Sequence, residues 1–226
     1  MNKLEKPAWF IVGTDTEIGK TFVTCTLLYA LRNKGFVAVG MKPVAAGFET
    51  NGKNEDVERL LAASSFQPPR ELLNPYAFAA AVAPHIAARE EGRVIELPRI
   101  VAAFDQLRAM ADAVVVEGVG GFCVPFGTDC DAADLAVALD LPVILVVGLR
   151  LGCINHALLT EQAIAARGLR LAGWVANRID PAMARGEENL VALRERLAAP
   201  LLGHIPHGTT PQQAARLLEL PCQTQS

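Results

Sequence analysis

The sequence predicts an α/β fold in which residues 1–226 form a single domain around a doubly wound, mostly parallel sheet. Segments rich in Val, Ile and Leu alternate with longer segments of helical periodicity, and they lack the polar alternation of half-exposed strands. Strands are predicted at residues 9–12, 37–41, 114–117, 143–147, 171–176 and 201–205. Helices are predicted at residues 20–34, 55–63, 98–110, 132–139, 155–166, 187–197 and 212–218. This alternation is typical of a parallel sheet covered by helices on both faces.

Glycine and proline refine this arrangement. Gly35 and Gly168 follow predicted helices at the position where glycine commonly ends a helix. Segment 67–84 is rich in Pro and Ala and lacks clear periodicity, so we expect a surface excursion that could border a functional site. Residues 221–226 predict a frayed tail.

Composition and charge indicate a globular protein. The 226 residues carry a net charge of −3 and are 51% apolar and 20% charged, which excludes disorder and allows a sizeable core. The chain has no Lys/Arg run, so nucleic acid is not an expected partner. The five cysteines form no C-x-x-C pair and predict reduced thiols. They are Cys25, Cys123, Cys130, Cys153 and Cys222.

Neither of the two most apolar stretches predicts export or membrane insertion. The stretch 8–12 is too short for a signal peptide and has no small-residue cleavage site after it. The stretch 141–149 is far below membrane-spanning length. We therefore expect a cytoplasmic protein without a membrane partner.

A glycine-containing loop, Gly-Thr-Asp-Thr-Glu-Ile-Gly-Lys-Thr at 13–21, lies between the first predicted strand and helix. Backbone N–H groups of such a loop form an anion nest, and the helix N-terminus adds a positive dipole. Lys20 would reach the β- and γ-phosphates of a nucleotide, and the Thr21 hydroxyl would bind Mg²⁺. The spacing departs from the usual P-loop because Gly13 lies one residue further back. Asp15 and Glu17 could be solvated or hydrogen-bond the loop backbone, or they could serve a cationic or amine-bearing second substrate or water on the metal; the sequence leaves both interpretations open.

Polar residues follow the second and third predicted strands. Lys42 could face a transferred phosphoryl group or lie on the surface over the strand end; the two are equally supported by position. Glu117 closes an apolar strand, which is the place of a Walker-B carboxylate that holds Mg²⁺. The glycines after it, in Gly118-Val119-Gly120-Gly121, would let the backbone approach phosphate closely.

The later strands are also followed by groups that could bind ligands. Segment 148–156 opens a helix with glycines, so it could bind an anion or simply start a packed helix. Asn177 follows the fifth strand, and its amide suits a purine edge. The four histidines show no metal-ligand spacing.

Together these motifs resemble those of dethiobiotin synthetases, over residues 9–207. The specific pieces are the 13–21 loop, Lys-Pro-Val-Ala-Ala-Gly at 42–47, Asn-Pro-Tyr at 74–76, Pro-His at 84–85, Val-Glu-Gly-Val-Gly-Gly at 116–121, Leu-Gly-Cys-Ile-Asn-His at 151–156 and Gly-Trp-Val-Ala-Asn at 173–177. The resemblance implies a homodimeric enzyme that uses ATP and Mg²⁺ to join CO₂ to 7,8-diaminononanoate and close the urea ring of dethiobiotin.

The resemblance also implies roles for individual residues. Mg²⁺ would be bound by Thr21, Asp56 and Glu117, and Lys42 and Lys20 would be catalytic. Nucleotide would contact Glu17, Ile18, Gly19, Lys20, Thr21, Phe22, Asp56, Glu117, Gly118, Val119, Gly120, Asn177, Arg178, Pro206 and His207. Substrate would contact Thr16, Lys42 and Ala46, and its carboxylate would meet Gly152, Cys153 and Asn155 of the partner subunit.

The chain departs from that family at two places. Ala46 replaces a serine that is common in the family, which removes one hydroxyl contact to substrate, and the segment after His207 does not match. Two other functions compete. A partition-type ATPase switch usually carries a second lysine early in its P-loop, which residues 14–16 lack. An amidotransferase-like synthase normally carries a further glutaminase domain, for which 226 residues leave no room.

Overall fold

The computed structural model describes residues 6–221 and shows an α/β architecture built on a six-stranded parallel sheet. The strands are β1 (Ala8–Gly13), β2 (Ala38–Met41), β3 (Val44–Ala46), β4 (Tyr76–Phe78), β5 (Ala113–Glu117), β6 (Val143–Gly148), β7 (Leu171–Asn177) and β8 (Leu201–Ile205). The helices are α1 (Lys20–Asn33), α2 (Glu55–Ala63), α3 (Arg70–Leu73), α4 (Pro84–Glu90), α5 (Leu97–Met110), α6 (Ala132–Leu139), α7 (Cys153–Ala166), α8 (Gly186–Arg196) and α9 (Pro211–Ala214).

The main sheet has the strand order β2-β5-β1-β6-β7-β8, and β3 and β4 form a separate parallel pair. Successive side chains of β1 enter opposite cores: Phe10 and Val12 pack with the residues of α5 to α8, whereas Trp9 and Ile11 pack with α1, α2 and α9. Both faces of the strand are therefore buried, which explains its continuous apolar sequence. The predicted doubly wound sheet is confirmed.

This topology places the carboxyl ends of β2, β5 and β1 side by side. Met41 pairs with Val116, and Ile11 pairs with Glu117, so Lys42, Glu117 and the loop after Gly13 meet at one edge. Ligands of doubly wound sheets bind at this edge. None of the helices between residues 6 and 221 combines the length and apolar character that a membrane span requires.

Every predicted strand and helix is present, but several details differ. Helix α7 begins at Cys153 rather than Asn155, because Gly152 at φ 93° provides the N-cap. Helix α9 ends at Ala214, so the predicted helix 212–218 is too long; a capping box between Thr210 and Gln213 fixes its start. Gly35 and Gly168 have the positive φ expected after a helix. Of the predicted tail, residues 222–226 lie outside the described part of the chain.

Segment 67–84 is not the surface excursion that its composition predicts. It contains α3 and β4, and Leu73, Tyr76 and Phe78 are buried in it. Short β4 pairs with β3, whose three residues follow Lys42 and Pro43. The segment borders the site through this pairing, as the sequence allowed.

Candidate functional site

The phosphate loop joins β1 to α1 and leaves the N–H groups at the helix start uncapped. Gly19 is the N-cap of α1 with φ 86°, and no side chain caps the helix there. A Cβ atom at Gly19 would lie 2.2 Å from Nδ2 of Asn177, so a side chain does not fit. The free N–H groups and the helix dipole form a site for an anion such as phosphate.

Lys20 lies folded back over this loop. Its ammonium donates a hydrogen bond to the carbonyl oxygen of Asp15 at 2.7 Å, and the residue is only 7% exposed. Burial, reinforced by the nearby positive charge of Lys42, lowers the pKa of Lys20 to about 8. An anion in the loop would relieve this unfavourable environment, which makes Lys20 suited to bind phosphate.

The acidic residues of the loop differ in their surroundings. The Asp15 carboxylate accepts a hydrogen bond from the Thr16 N–H and forms a salt bridge with Arg150. Asp15 therefore stabilises the loop and ties it to the turn after β6. Glu17 has φ 58° and lines the cavity next to the loop. Of the two loop acids, Glu17 is therefore the one that a ligand in this cavity would meet.

A buried cluster of Glu117, Lys42 and Thr21 lies beside the loop. Oε1 of Glu117 accepts hydrogen bonds from Nζ of Lys42 at 2.6 Å and from Oγ1 of Thr21 at 2.7 Å. Nζ of Lys42 also lies 3.3 Å from Oδ2 of Asp56 and 3.2 Å from the carbonyl oxygen of Gly118. Glu117 is fully buried and Lys42 is 3% exposed. Each of these buried charges therefore requires the opposite charge of its partner, because removal of either one would leave the other without a counter-charge.

The electrostatics of the cluster favour charged side chains. Burial alone would lower the pKa of Lys42, but Glu117 and Asp56 outweigh it and raise that pKa above its usual value. Burial alone would raise the pKa of Asp56, but the Lys42 ammonium, through its charge and its hydrogen bond, lowers it. Lys42 is therefore a protonated lysine in a buried site, not the surface lysine that was the alternative from sequence.

A cavity of about 360 Å³ lies next to these groups, and most of the predicted site residues line it. The predicted residues that line it are Thr16, Glu17, Gly19, Lys20, Thr21, Phe22, Lys42, Ala46, Asp56, Glu117, Val119 and Gly120. Sequence analysis missed Ala45, Asn54 and Arg59, which also line it. Arg59 lies one helical turn after Asp56 on α2, a spacing that could have indicated it.

The remaining predicted nucleotide residues do not line this cavity. Ile18 has a fully buried side chain, so its backbone carries any contact. The carbonyl oxygen of Gly118 accepts a hydrogen bond from Lys42. Nδ2 of Asn177 donates to the Ile18 carbonyl at 2.9 Å, which connects β7 to the phosphate loop. The guanidinium of Arg178 lies 3.5 Å from the Glu187 carboxylate. Pro206 and His207 are exposed beyond β8.

The start of α7 lies outside the cavity of its own chain. A Cβ atom at Gly152 would meet nothing within 4 Å, and Leu151 beside it is 93% exposed. Asn155 is exposed, whereas Cys153 is buried and burial raises the pKa of its thiol. Cys153 is thus suited to packing and not to nucleophilic attack. All four cysteines in residues 6–221 are free thiols, as predicted.

The cluster has the donors that Mg²⁺ requires. Oε2 of Glu117 is buried and has no hydrogen-bond partner, and the Thr21 hydroxyl and the Asp56 carboxylate lie nearby. Across residues 6–221, no group of three or more His, Cys, Asp or Glu side chains could hold a metal. Mg²⁺ usually takes one or two carboxylates together with phosphate oxygens and water, so two carboxylates and a hydroxyl fit it.

Asn74 positions Lys42 although sequence analysis assigned it no role. Its side-chain amide donates to the carbonyl oxygens of Lys42 at 2.6 Å and Tyr76 at 3.0 Å, inside the core. Asn54 holds the start of α2, the helix that carries Asp56. Its side chain accepts a hydrogen bond from the Val57 N–H and donates one to the Gly47 carbonyl. The Asn-Pro-Tyr motif was visible in the sequence, but its contact with Lys42 was not.

Asn74→Ala is expected to destabilise the protein by about 1–3 kcal/mol, because it removes both hydrogen bonds that the buried amide donates, to the carbonyl oxygens of Lys42 and Tyr76. Urea unfolding measures this change. Asn189→Ala is a matched control, since the Asn189 amide makes a single exposed bond to the Arg185 carbonyl. Equal losses of stability in the two variants would show that Asn74 does not anchor the strand end.

The fold and the site define a P-loop nucleotide-binding protein of the α/β class. A family model described as an AAA domain matches residues 8–213. The ATP-dependent dethiobiotin synthetase BioD of Aromatoleum aromaticum is 64% identical, covering 96% of this chain and 99% of that protein. The protein of the same description from Xylella fastidiosa is 58% identical, covering 88% and 90%. The chain belongs to the dethiobiotin synthetase family.

A solved structure supports the fold independently. The ParA family ATPase from Chlorobium tepidum superimposes with a TM-score of 0.55 at 13% identity, covering 93% of this chain and 88% of that chain. At this identity the likeness shows a shared fold and no shared function.

Proposed function

We propose that this protein uses ATP to carboxylate 7,8-diaminononanoate and close it to dethiobiotin, with release of ADP and phosphate. The observation that carries the proposal is the convergence of Lys20 and Lys42 on one cavity at the N-terminus of α1. Two anions, a γ-phosphate and a carbamate, would meet there. The close relatives named as dethiobiotin synthetases support this choice of substrate.

The reaction requires three bond-forming events. One amine attacks CO₂ and loses a proton, which gives a carbamate. A carbamate oxygen then attacks the γ-phosphorus, the bond from that phosphorus to the β-phosphate oxygen breaks, and ADP leaves. The second amine attacks the carbonyl carbon of the mixed anhydride, loses a proton and expels phosphate, which carries away the carbamate oxygen. The cyclic urea is the product.

The described residues can support each event by positioning and by charge. The loop N–H groups and Lys20 would bind the β- and γ-phosphates, and the Lys42 ammonium would neutralise charge on the carbamate and the transferring phosphoryl group. Thr16 lines the cavity and would contact substrate. Ala46 also lines the cavity. Because alanine has no hydroxyl, substrate would form one hydrogen bond fewer there than with the serine that is common in the family.

Magnesium and adenine complete the proposed nucleotide site. Thr21, Asp56 and Glu117 would hold Mg²⁺, which supplies neutralisation of phosphate charge when bound. Asn177 would read adenine through the parts of its amide that do not contact the loop, with Arg178, Pro206 and His207 beside the base. Cytoplasmic location stays a prediction.

A homodimer is the second part of the proposal. Substrate reacts at its diamine end beside the γ-phosphate, so its carboxylate must lie at a distance. The start of α7 offers backbone N–H groups at Gly152 and Asn155, together with the exposed apolar Leu151. The N–H of Cys153 between them donates to the Arg150 carbonyl oxygen at 3.0 Å, so Cys153 would border the carboxylate without binding it through that group. These residues do not line the cavity of their own chain, which supports a partner subunit as the source of the carboxylate site.

Gly152→Asp is expected to raise the KM for the diamine by about tenfold over Gly152→Asn, because a negative charge would face the substrate carboxylate. Asp and Asn have nearly the same shape and both tolerate the left-handed conformation. Steady-state kinetics with saturating ATP measures the difference. Equal KM values, or a monomer by analytical ultracentrifugation, would contradict the dimeric arrangement.

Coupled ADP-release kinetics tests the proposed activity. We expect ADP formation only when the diamine and bicarbonate are both present with Mg²⁺ and ATP. A rate that is independent of the diamine and rises with DNA or a partner protein would instead indicate a nucleotide switch.

A further inference from the structure

The ammonium of Lys42 lies between the two carboxylates that would hold Mg²⁺. It is 2.6 Å from Oε1 of Glu117 and 3.3 Å from Oδ2 of Asp56. The Lys42 and Glu117 side chains are 4% and 0% exposed, so water does not substitute for either partner. In the protein without ligands, Lys42 therefore supplies the positive charge that these carboxylates require.

A magnesium ion bound by the same two carboxylates would lie close to the lysine ammonium. Like charges in a buried site repel each other strongly. Oε1 of Glu117 already accepts from Lys42 and Thr21, whereas Oε2 has no partner in the described residues. Metal binding at Oε2 of Glu117 and at Asp56 would therefore place a second cation beside Lys42, and the repulsion would weaken the contacts of Lys42 with both carboxylates.

We infer that Lys42 is an internal counter-ion that occupies the metal site until magnesium and nucleotide bind together and displace it. Displacement frees the ammonium to face the γ-phosphate and the carbamate. The inference rests on the proposed function for the identity of those two anions. Its physical basis is the geometry of the Lys42, Glu117 and Asp56 side chains.

Nucleotide is needed for the exchange because the displaced ammonium must keep an anionic partner. A buried cation without a counter-charge is costly, and the γ-phosphate is the anion that the loop would bring next to Lys42. Magnesium without nucleotide offers Lys42 no such partner. The two ligands therefore bind with positive coupling, and Lys42 becomes available when the group it acts on arrives.

The test is Mg²⁺ binding without nucleotide, measured by isothermal titration calorimetry on wild type and Lys42→Met. Methionine keeps much of the side-chain length but removes the charge. We expect Lys42→Met to bind Mg²⁺ between about fivefold and a hundredfold more tightly than wild type. When both proteins are measured without Mg²⁺, the melting temperature of Lys42→Met should be lower than that of wild type. Addition of Mg²⁺ should then raise the melting temperature of Lys42→Met.

Two controls and one substitute variant make the result specific. Lys53→Met removes an exposed lysine, 3.5 Å from Glu58, and should leave Mg²⁺ binding at the wild-type level. Lys42→Met combined with Glu117→Gln should lose the tightened binding. If Lys42→Met does not fold, Lys42→Gln provides the same comparison, because its amide can still donate to Glu117.

Mg²⁺ affinity that is equal or weaker in the folded Lys42 variant would overturn the inference. This measurement uses neither diamine nor turnover. A failure of the proposed reaction, seen as no diamine-dependent ADP release, would therefore be distinguishable from a failure of the counter-ion exchange.

Discussion

Lys20→Ala is expected to lower diamine-dependent ADP formation by about 100-fold or more, because Lys20 neutralises phosphate charge that increases in the transition state. The fold should survive, since the Lys20 ammonium makes a single hydrogen bond to a loop carbonyl and burial disfavours its charge. The melting temperature should accordingly stay close to that of wild type or rise. Coupled ADP release and thermal unfolding provide the two measurements.

Lys34→Ala is the matched control for this variant. Lys34 is exposed at the end of the same helix, so its removal should leave turnover unchanged. Near wild-type turnover by Lys20→Ala would contradict the assignment of the 13–21 loop as the phosphate site. A collapse of stability would instead show that Lys20 has a structural role.

Glu117→Gln is expected to shift the Mg²⁺ dependence of turnover to concentrations at least about tenfold higher, because the amide loses the charge that attracts the metal. Lys42 and Thr21 both donate hydrogen bonds to Glu117. The side-chain amide introduced by Glu117→Gln would have one acceptor oxygen instead of two, so its N–H donors would be placed near these two donors. The smaller effect is expected for Asp56→Asn, whose side chain is 39% exposed and partly screened by water.

Magnesium titrations of turnover at fixed ATP compare the two variants with wild type. Glu188→Gln, on the exposed face of α8, controls for the loss of one negative charge. An unchanged magnesium curve for Glu117→Gln would remove Glu117 from the metal site. A larger shift for Asp56→Asn than for Glu117→Gln would reverse the proposed order of importance.

The sequence predicted the sheet well because its strands are buried on both faces. Their continuous Val, Ile and Leu segments have few other interpretations once a Gly-Lys-Thr loop follows the first of them. Lys42 and Glu117 were found for a similar reason, since each lies at the end of a predicted strand. Parallel strands bring such residues to one edge, and the pairing of Met41 with Val116 realises this expectation.

What the sequence could not predict depends on contacts between distant segments. Asn74 and Lys42 are 32 residues apart, and their bond forms only because β3 and β4 pair beside the main sheet. Both strands are three residues long, too short to give a periodic signal. The ion contacts of Lys42 with Glu117 and Asp56 likewise required side-chain positions. The roles of Gly152, Asn177 and His207 involve a partner chain or adenine and stay predictions.

The measurement that tests the central claim most directly is the fate of bicarbonate oxygen. In the proposed reaction the carbamate oxygen attacks the γ-phosphorus and leaves with phosphate. Freshly dissolved ¹⁸O-labelled bicarbonate, ATP and the diamine, quenched before the label exchanges with water, should therefore give dethiobiotin and phosphate that carries one ¹⁸O atom for each ADP released. Mass spectrometry detects both products. ADP accompanied by unlabelled phosphate, without dethiobiotin, would show that water attacks ATP and would contradict the account.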